Sequence, residues 1–400
     1  RTSRGGILIR PDDFNPERIL IDDALVANPT QVNVGDRFNG AIVGVMDYSF
    51  SNFKLLNTQA LPSVISGGLQ REVTSLTPTT NQLTVATFNV ENLDPSDGAA
   101  KFASLASRIV TNLGAPDIIT LEEIQDNNGA TNDSVVDASQ TFQLLIGAIV
   151  AAGGPRYEYR QVDPVDDQDG GEPGGNIRVG FLFNPTRVTF VDIFGGTSTT
   201  NTTVTNVNGV PTLSASPGRL APTNPAFNNS RKPLEGEFIF NGQPVFIVGN
   251  HFNSKGGDQP LFGRFQSPTL NSEVQRLQQA EVVRNFVQSI LAIDPNANVI
   301  VMGDLNDFEF SNPLNLIKSA GLSSLIETLP QNERYTYNFE GNAQLLDHIL
   351  VSGNLLSKLD AYDVVHINSE FADQDSDHDP SVARFNIGPS VITGNAGNNA

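Results

Sequence analysis

The chain contains no cysteine among its 400 residues, which excludes disulfides and thiolate-bound metal. That absence suits a secreted bacterial protein and arises equally by chance. Basic residues are scarce: 24 Lys and Arg stand against 44 Asp and Glu, for a formal net charge of −20. Such a chain repels a polyanion at long range unless cations or a local basic patch intervene. A protein that merely coats nucleic acid is therefore disfavoured, whereas an enzyme that holds phosphate through a divalent metal is not. No apolar run approaches the length of about 18 residues that a membrane-spanning helix needs. The chain opens on Arg1, not Met, and shows no signal-peptide pattern. It is expected to be a mature form or an excised piece of a longer chain.

What is present describes a globular protein. The apolar fraction is 38% against 17% charged, enough for a real core, and 35 glycines with 24 prolines imply long loops. The length allows one large domain plus something smaller. Residues 1–60 differ from the rest. Within them residues 36–48 (DRFNGAIVGVMDY) alternate apolar and polar side chains around Gly40 and Gly44, a half-buried strand pattern with bulges. Residues 61–82 are rich in Pro, Ser, Thr and Gly and read as a linker. The catalytic-type region is expected over residues 83–388, followed by a Gly/Asn-rich tail over 389–400. A plain flexible tail and the entry to glycine-rich calcium-binding repeats both remain open for it.

From Leu83 strands and helices alternate. Residues 83–88 (LTVATF), 117–121 (DIITL), 177–183 (IRVGFLF), 245–248 (VFIV), 299–302 (VIVM) and 345–351 (LLDHILV) read as strands. Phe102, Leu105, Ala106, Ile109, Val110 and Leu113 share one helical face, which Gly114 can terminate. A second helix is expected around residues 140–151. Residues 273–291 form a third, with Leu277, Ala280, Val283, Phe286, Val287 and Ile290 inward. A fourth begins at Ser311 as its cap, with Pro313 in the first turn, and ends at Gly321. The Thr/Asn-rich stretch 197–230 has no core period and reads as a surface excursion. The alternation implies an α/β fold.

Polar residues cluster just after these strands, where α/β folds bind ligands. The segments are TFNVEN (87–92), LEE (121–123), NHFN (250–253), GDLND (303–307), LLDHI (345–349) and SDHDP (376–380). Taken singly, each is more often a cap or turn. Their repetition, with three of the four histidines (His251, His348, His378) inside them, points to a common site; His366 lies outside and receives no role. Phosphoester hydrolysis needs a cation for the non-bridging oxygens, a base for water and an acid for the leaving oxygen. Carboxylate and amide oxygens with few imidazoles suit a hard ion, Mg²⁺ first, then Mn²⁺ or Ca²⁺, better than zinc.

In this order the six segments resemble the endonuclease/exonuclease/phosphatase superfamily. That group includes deoxyribonuclease I, exonuclease III, abasic-site endonucleases, sphingomyelinases and inositol-polyphosphate phosphatases. GDLN and SDHDP are the specific motifs; LEE is not. The phrases NIRVGFLF, NHFNSKGGD and DFEFSNPL resemble the secreted bacterial nuclease branch. VGDRFNG and DYSFSNFKL resemble the small barrel-like domain that precedes such nucleases, here incomplete. The resemblance implies a deoxyribonuclease I-like fold: two packed mixed β-sheets flanked by helices in a four-layer α/β sandwich, preceded by a small partial β segment.

It also implies roles. Glu123 matches the main metal-binding glutamate, and Asn89 the asparagine supporting metal and scissile phosphate. Asp304 matches the aspartate that activates water or protonates the leaving group, and Asn306 its phosphate-binding neighbour. Asp377 and His378 match the closing pair, the first for metal or imidazole orientation and the second for phosphate. Asp347 matches the aspartate that orients a histidine or metal water. His251 is a candidate general acid and Asn253 a phosphate contact. Arg178 is a candidate phosphate clamp, or equally half of a structural ion pair. The acidic loop 163–176 holds Asp163, Asp166, Asp167, Asp169 and Glu172, as a solvated loop or a structural calcium site. The tyrosine of the exonuclease III branch finds no match, because Tyr157 and Tyr159 precede the GFLF strand.

The expected function is thus an extracellular nuclease cleaving DNA, and conceivably RNA, by metal-assisted attack of water on phosphorus. A secreted phosphatase or phosphodiesterase acting on small or lipid phosphoesters, which the acidic charge favours, and a non-catalytic surface module are the alternatives.

Overall fold

The computed structural model describes residues 1–26 and 30–389. The expected tail therefore lies, beyond its first residue, outside the described part. The main strands are β1 (Gln82–Leu93), β2 (Ile118–Ile124), β3 (Arg178–Phe183), β4 (Leu234–Phe240), β5 (Gln243–His251), β6 (Asn298–Asp304), β7 (Asp347–Ser352), β8 (Leu359–Val364) and β9 (Ser381–Asn386). The main helices are α1 (Gly98–Ser107), α2 (Ser139–Ala151), α3 (Glu273–Leu291) and α4 (Asn312–Lys318).

One sheet runs β8-β9-β1-β2-β3 and is edged by residues Glu158–Arg160. The other runs β4-β5-β6-β7 between the short edge strands Thr189–Phe190 and Leu322–Ser324. Each sheet is mixed: β1–β2 and β5–β6 are parallel, and their neighbours are antiparallel. Both parallel pairs need a crossover, which α1 and α3 supply. The side chains explain the layering. Along β1, Leu83 and Val85 enter the core between the sheets, while Ala86, Phe88 and Val90 face α1 and α2. A strand covered on both faces reads as a near-continuous apolar run, as LTVATF does. On the second sheet Ile300 and Met302 point to the shared core; Val299 and Val301 pack under α3 and α4. Phe238 meets Phe190 edge-on at 4.9 Å and Phe181 at 5.6 Å, anchoring the inter-sheet core. The result is the four-layer α/β sandwich.

Several local expectations change. Residues 36–48 are not one strand: Arg37–Phe38 and Gly44–Ser49 belong to different small sheets. Residues 61–82 are not a free linker. Val64–Ile65 pairs with Arg37–Phe38, Thr74 N donates to Asn112 O, Arg71 donates to Ile367 O, and Leu76 is buried. Nor do residues 1–60 stand apart, since Ile7–Leu8 adds in parallel to the hairpin strand Asn342–Gln344. On α3, Leu277 is 39% exposed, and the polar Arg276 and Gln279 are buried in its place. Their side chains reach toward the ends of β5 and β6, so the site, not the core, dictates that face. Ser311 sits at the N-cap of α4 without a side-chain capping bond, and Gly321 follows at φ 95°.

Candidate active site

The strand register brings the key carboxylates together. His251 is the cross-strand partner of Asp304 on β6, and Asp304 is the partner of Asp347 on β7. Three ionisable side chains thus share one rung at the ends of three adjacent strands. Gly303, just before, has φ 131°, and a Cβ there would meet Asn250 O at 2.0 Å, so only glycine allows this approach. On the first sheet, β1 bulges between Asn89 and Leu93, with Glu91 and Asn92 in the left-handed region. The bulge turns Asn92 N toward Glu123 Oε2, 3.0 Å away, and Glu123 itself has φ 63°. Asn306 has φ 50°. Left-handed non-glycine residues cost energy that the surrounding structure must supply, and they gather here at the functional strand ends.

The side chains interlock. Asn89 Nδ2 donates to Glu123 Oε1 at 3.0 Å and to Asp304 Oδ2 at 3.3 Å. Asn306 donates its backbone N–H to Asp304 Oδ1 at 2.8 Å and its Nδ2 to Asp304 Oδ2 at 3.2 Å. His378 Nδ1 lies 2.7 Å from Asp347 Oδ2, and its Nε2 lies 3.8 Å from Asp304 Oδ2. His251 Nε2 lies 3.7 Å from Glu123 Oε1 and 3.6 Å from Asp304 Oδ2.

Burial and neighbouring charge set the proton affinities. Burial pushes the Asp304 carboxyl up to about 7, with His378 pulling the other way and Asp347 adding to the rise. Burial also opposes charge on His378, but Asp347 and Asp304 outweigh it and hold the imidazole well above the usual histidine value. His251 goes the opposite way: burial, then Arg231 and His378, keep it well below that value and neutral. Two imidazoles in one site thus carry opposite charge states.

A cleft of about 740 Å³ opens over these strand ends. Glu123, His251, Asp304, Asn306, Asp377 and His378 line it. Its walls hold the carboxylates Glu123, Glu172, Asp258, Asp304, Glu340 and Asp377 against the basic Arg231 and Lys255. A phosphate entering such a cleft needs added positive charge. The donor set fits a divalent cation. Glu123, His251 and Asp304 offer ligand atoms within 4.8 Å of one another, oxygen-rich with one neutral imidazole. Asp304, Asp347 and His378 form a second such group, but there the short His378–Asp347 contact occupies Nδ1.

Three assigned roles change. Arg178 is sealed, 1% exposed, with NH1 on Asp163 at 2.8 Å and NH2 on Asn176 O at 3.0 Å. It is half of a structural ion pair and does not reach the cleft. Asn253 turns its Nδ2 to Ser254 O and its N–H to Gln279, so Ser254 and Lys255 line the cleft instead. Asn89 accepts the Glu91 N–H at its Oδ1 and donates its Nδ2 to the carboxylates, which makes it a brace between Glu123 and Asp304 more than a metal ligand. Asp377 lines the cleft with its Oδ1 3.9 Å from His378 Nε2, but stands outside the two clustered groups. In the acidic loop, Asp169 is buried between Arg219 and Lys232, 2.7 Å from each, so internal cations neutralise it.

Sequence reasoning missed Arg231 and Tyr337. Arg231 is buried at the cleft wall, donates to Phe252 O at 2.7 Å, and feels Glu123 and Asp304. It directly follows the stretch 197–230 read as a surface excursion, and the basic pair Arg231-Lys232 just before β4 was the available signal. Tyr337 packs its ring 4.8 Å from that of His378, and burial, with Asp377 adding, pushes its phenol well above the usual tyrosine value. His348 is structural, with Nε2 2.8 Å from Asp307 O and its pKa pushed by burial to about 4.

Solved structures to which the chain is similar include D. rerio TDP2 complexed with single strand DNA product, at 18% identity and TM-score 0.48, covering 76% of this chain and 99% of that one. Truncated Caenorhabditis elegans TDP2 matches at 19% and 0.46, covering 76% and 97%. The endonuclease/exonuclease/phosphatase from Bacteroides vulgatus matches at 16% and 0.46, covering 76% and 99%. No curated protein matches the chain. A model described as a domain of unknown function (DUF8508) matches residues 1–66. The model of the endonuclease/exonuclease/phosphatase family matches residues 86–378, a span that begins in β1 and closes on His378. That span covers most of the chain and every strand end that converges on Asp304, so the chain belongs to the endonuclease/exonuclease/phosphatase family and is a hydrolase of phosphoester bonds.

Proposed function

We propose that this hydrolase is a secreted bacterial nuclease that cleaves DNA, and RNA as a secondary substrate, with Mg²⁺ as its metal. The observation that carries the reading is the Asp347–His378–Asp304 line at the floor of an open, acidic cleft. Glu123, with His251 and Asp304 beside it, would hold the divalent cation, which when bound would neutralise a phosphodiester's non-bridging oxygens. The chain's own groups do the rest. Asp304, braced by Asn89 and Asn306 and with its proton affinity raised, accepts a proton from the attacking water. Asp347 fixes the ring of His378, which stays charged and donates through Nε2 to a phosphate oxygen. Arg231 adds a fixed positive charge beside Glu123. His251, neutral and buried, turns its Nε2 toward Glu123 and Asp304, so it serves the metal side of the site and not as the general acid.

The test is turnover of plasmid DNA, RNA, a chromogenic phosphodiester and a monoester with Mg²⁺, Mn²⁺ or Ca²⁺, each repeated with chelator. DNA cleavage that disappears with chelator and in Asp304→Ala supports the reading. The acidic cleft favours one other reading, hydrolysis of small phosphoesters; turnover of the small esters alone would establish it and overturn the nuclease.

A further inference from the structure

The cleft is not built by the family region alone. Phe50 and Asn52 from the N-terminal segment line it together with Tyr337, Phe339 and Glu340. Phe50 stands at a tight hairpin between Gly44–Ser49 and Asn52–Asn57, where Ser49 pairs with Asn52. The two loop residues, Phe50 and Ser51, both adopt left-handed φ values of 49° and 63°. Two-residue hairpin turns of this kind strongly prefer Asn-Gly, because side chains are strained there. A phenylalanine in that position works against the local fold, and it is 88% exposed. Against that strain stands the Lys54 ammonium, 5.0 Å from the ring centroid, and a broken local rule with so small a packing gain marks a functional position.

A second hairpin faces it. Phe339 pairs with Asn342 across Glu340 and Gly341, whose φ values are 49° and 80°. Asn52, buried, donates to Glu340 Oε1 at 3.2 Å, and Arg18 bonds Glu340 through both its carbonyl and its carboxylate. The N-terminal segment is thereby clamped to the hairpin that carries Tyr337 and Phe339. These two rings lie on one strand face, 6.4 Å apart and within 13° of parallel. Tyr337 is in turn 4.8 Å from the His378 ring. A row of π-faces therefore leads from the His378 imidazole along Tyr337 to Phe339, which is 52% exposed, and Phe50 lines the same cleft.

We infer that the N-terminal segment completes the substrate cleft, and that Phe50 and Phe339 stack unpaired bases of a single-stranded nucleic acid whose phosphate lies at His378. The inference rests on the nuclease reading. Exposed aromatic faces grip bases only when those bases are free of a duplex stack, and every base offers such a face, so the contact tolerates sequence. The neighbouring charges agree with a substrate held by stacking more than by a basic track, since the cleft carries few cations.

The full chain is assayed on a single-stranded oligonucleotide, DNA and RNA forms in parallel, on the matching duplex, and on a small dialkyl phosphodiester that carries no aromatic ring to stack. Phe50→Ala and Phe339→Ala each lower kcat/KM on the single strand by about five- to 150-fold, mainly through KM. Both keep wild-type turnover of the small ester, and Phe50→Trp retains single-strand activity. Equal losses on oligonucleotide and small ester would make these residues structural and overturn the inference. So would unchanged single-strand kinetics in Phe50→Ala, or a wild type that prefers duplex; in both cases the nuclease reading stands. A wild type that turns over the small ester but neither nucleic acid removes the nuclease reading and this inference with it.

Discussion

His378 Nδ1 donates to Asp347 Oδ2 across 2.7 Å, and the two groups come from β7 and from the loop before β9, in different sheets. The contact therefore joins the two halves of the sandwich at the point of chemistry. Asp347→Asn keeps the shape but removes the charge that holds the imidazolium. We expect kcat on a phosphodiester to fall at least about a hundredfold in Asp347→Asn and in His378→Ala, with unaltered circular dichroism. Near-normal turnover in either variant would remove the acid–base line from the mechanism.

Arg231 and Arg178 separate binding from structure. Arg231→Ala should cut kcat about a hundredfold, as loss of one transition-state-stabilising group does. Arg178→Met should leave kcat of the folded protein within about threefold and show its effect as lower stability, since its partners are Asp163 and backbone. Equal catalytic losses in both would restore Arg178 as a phosphate contact.

Asp169→Asn tests the acidic loop. Its carboxylate sits between Arg219 and Lys232, with all three side chains at least nine-tenths buried. Removing the one anion leaves two buried cations, at a cost of about 3–5 kcal/mol. Urea unfolding followed by circular dichroism should show that loss equally with and without calcium chelator. A loss seen only without chelator would instead reveal a calcium site.

Stability should depend on pH through His366 and Asp379. Burial opposes charge on His366, yet its 3.1 Å contact with Asp379 raises its pKa above the ordinary value. Burial likewise opposes the Asp379 charge, but His366, Ser369 and the backbone N–H groups of residues 367–369 lower its pKa. The raised histidine contributes fully below about pH 6.5 and loses that contribution as pH climbs through its folded value. The depressed aspartate contributes above about pH 3.9 and loses its contribution as pH falls through its own folded value. His366→Gln should therefore lose more midpoint urea concentration at pH 6 than at pH 9. A difference independent of pH would contradict the charged pair.

Gly303→Ala should be severe, because the new Cβ would overlap Asn250 O and φ is 131°. Loss of soluble protein, or of at least about 3 kcal/mol with little residual turnover, is expected. A stable, active variant would show that the β5–β6 approach is looser than drawn.

Much of this was legible in the sequence because buried strands announce themselves by composition and their polar ends stand out against it. Asn89, Glu123, His251, Asp304, Asn306, Asp347 and His378 come from six separate segments, and the fold brings their side chains together. Arg231 and Tyr337 were hidden for a different reason. Arg231 lies in a segment without periodicity and Tyr337 in a short alternating run, residues 335–339 (YTYNF), and only the tertiary path of each segment carries it to the cleft. Arg178 misled because a charged residue at the start of a buried strand looks the same whether its partner is a phosphate or Asp163. Leu277 misled because helical spacing reports which residues align, not which face a neighbouring Asp307 will claim for Arg276, 2.7 Å away. The clamp of Asn52 and Arg18 on Glu340 joins residues almost the length of the chain apart, and no local pattern records such a contact.

The shared rung of His251, Asp304 and Asp347 has a consequence for folding fidelity. Side chains alternate along a strand, so a one-residue slip of β6 would send Asp304 into the layer now held by Met302's neighbours and lift an apolar residue into the cleft. The same slip that damages the interior would therefore silence the enzyme. Specific activity in this protein doubles as a proofreading signal: a preparation with full turnover per molecule is one whose central strands have found their native alignment.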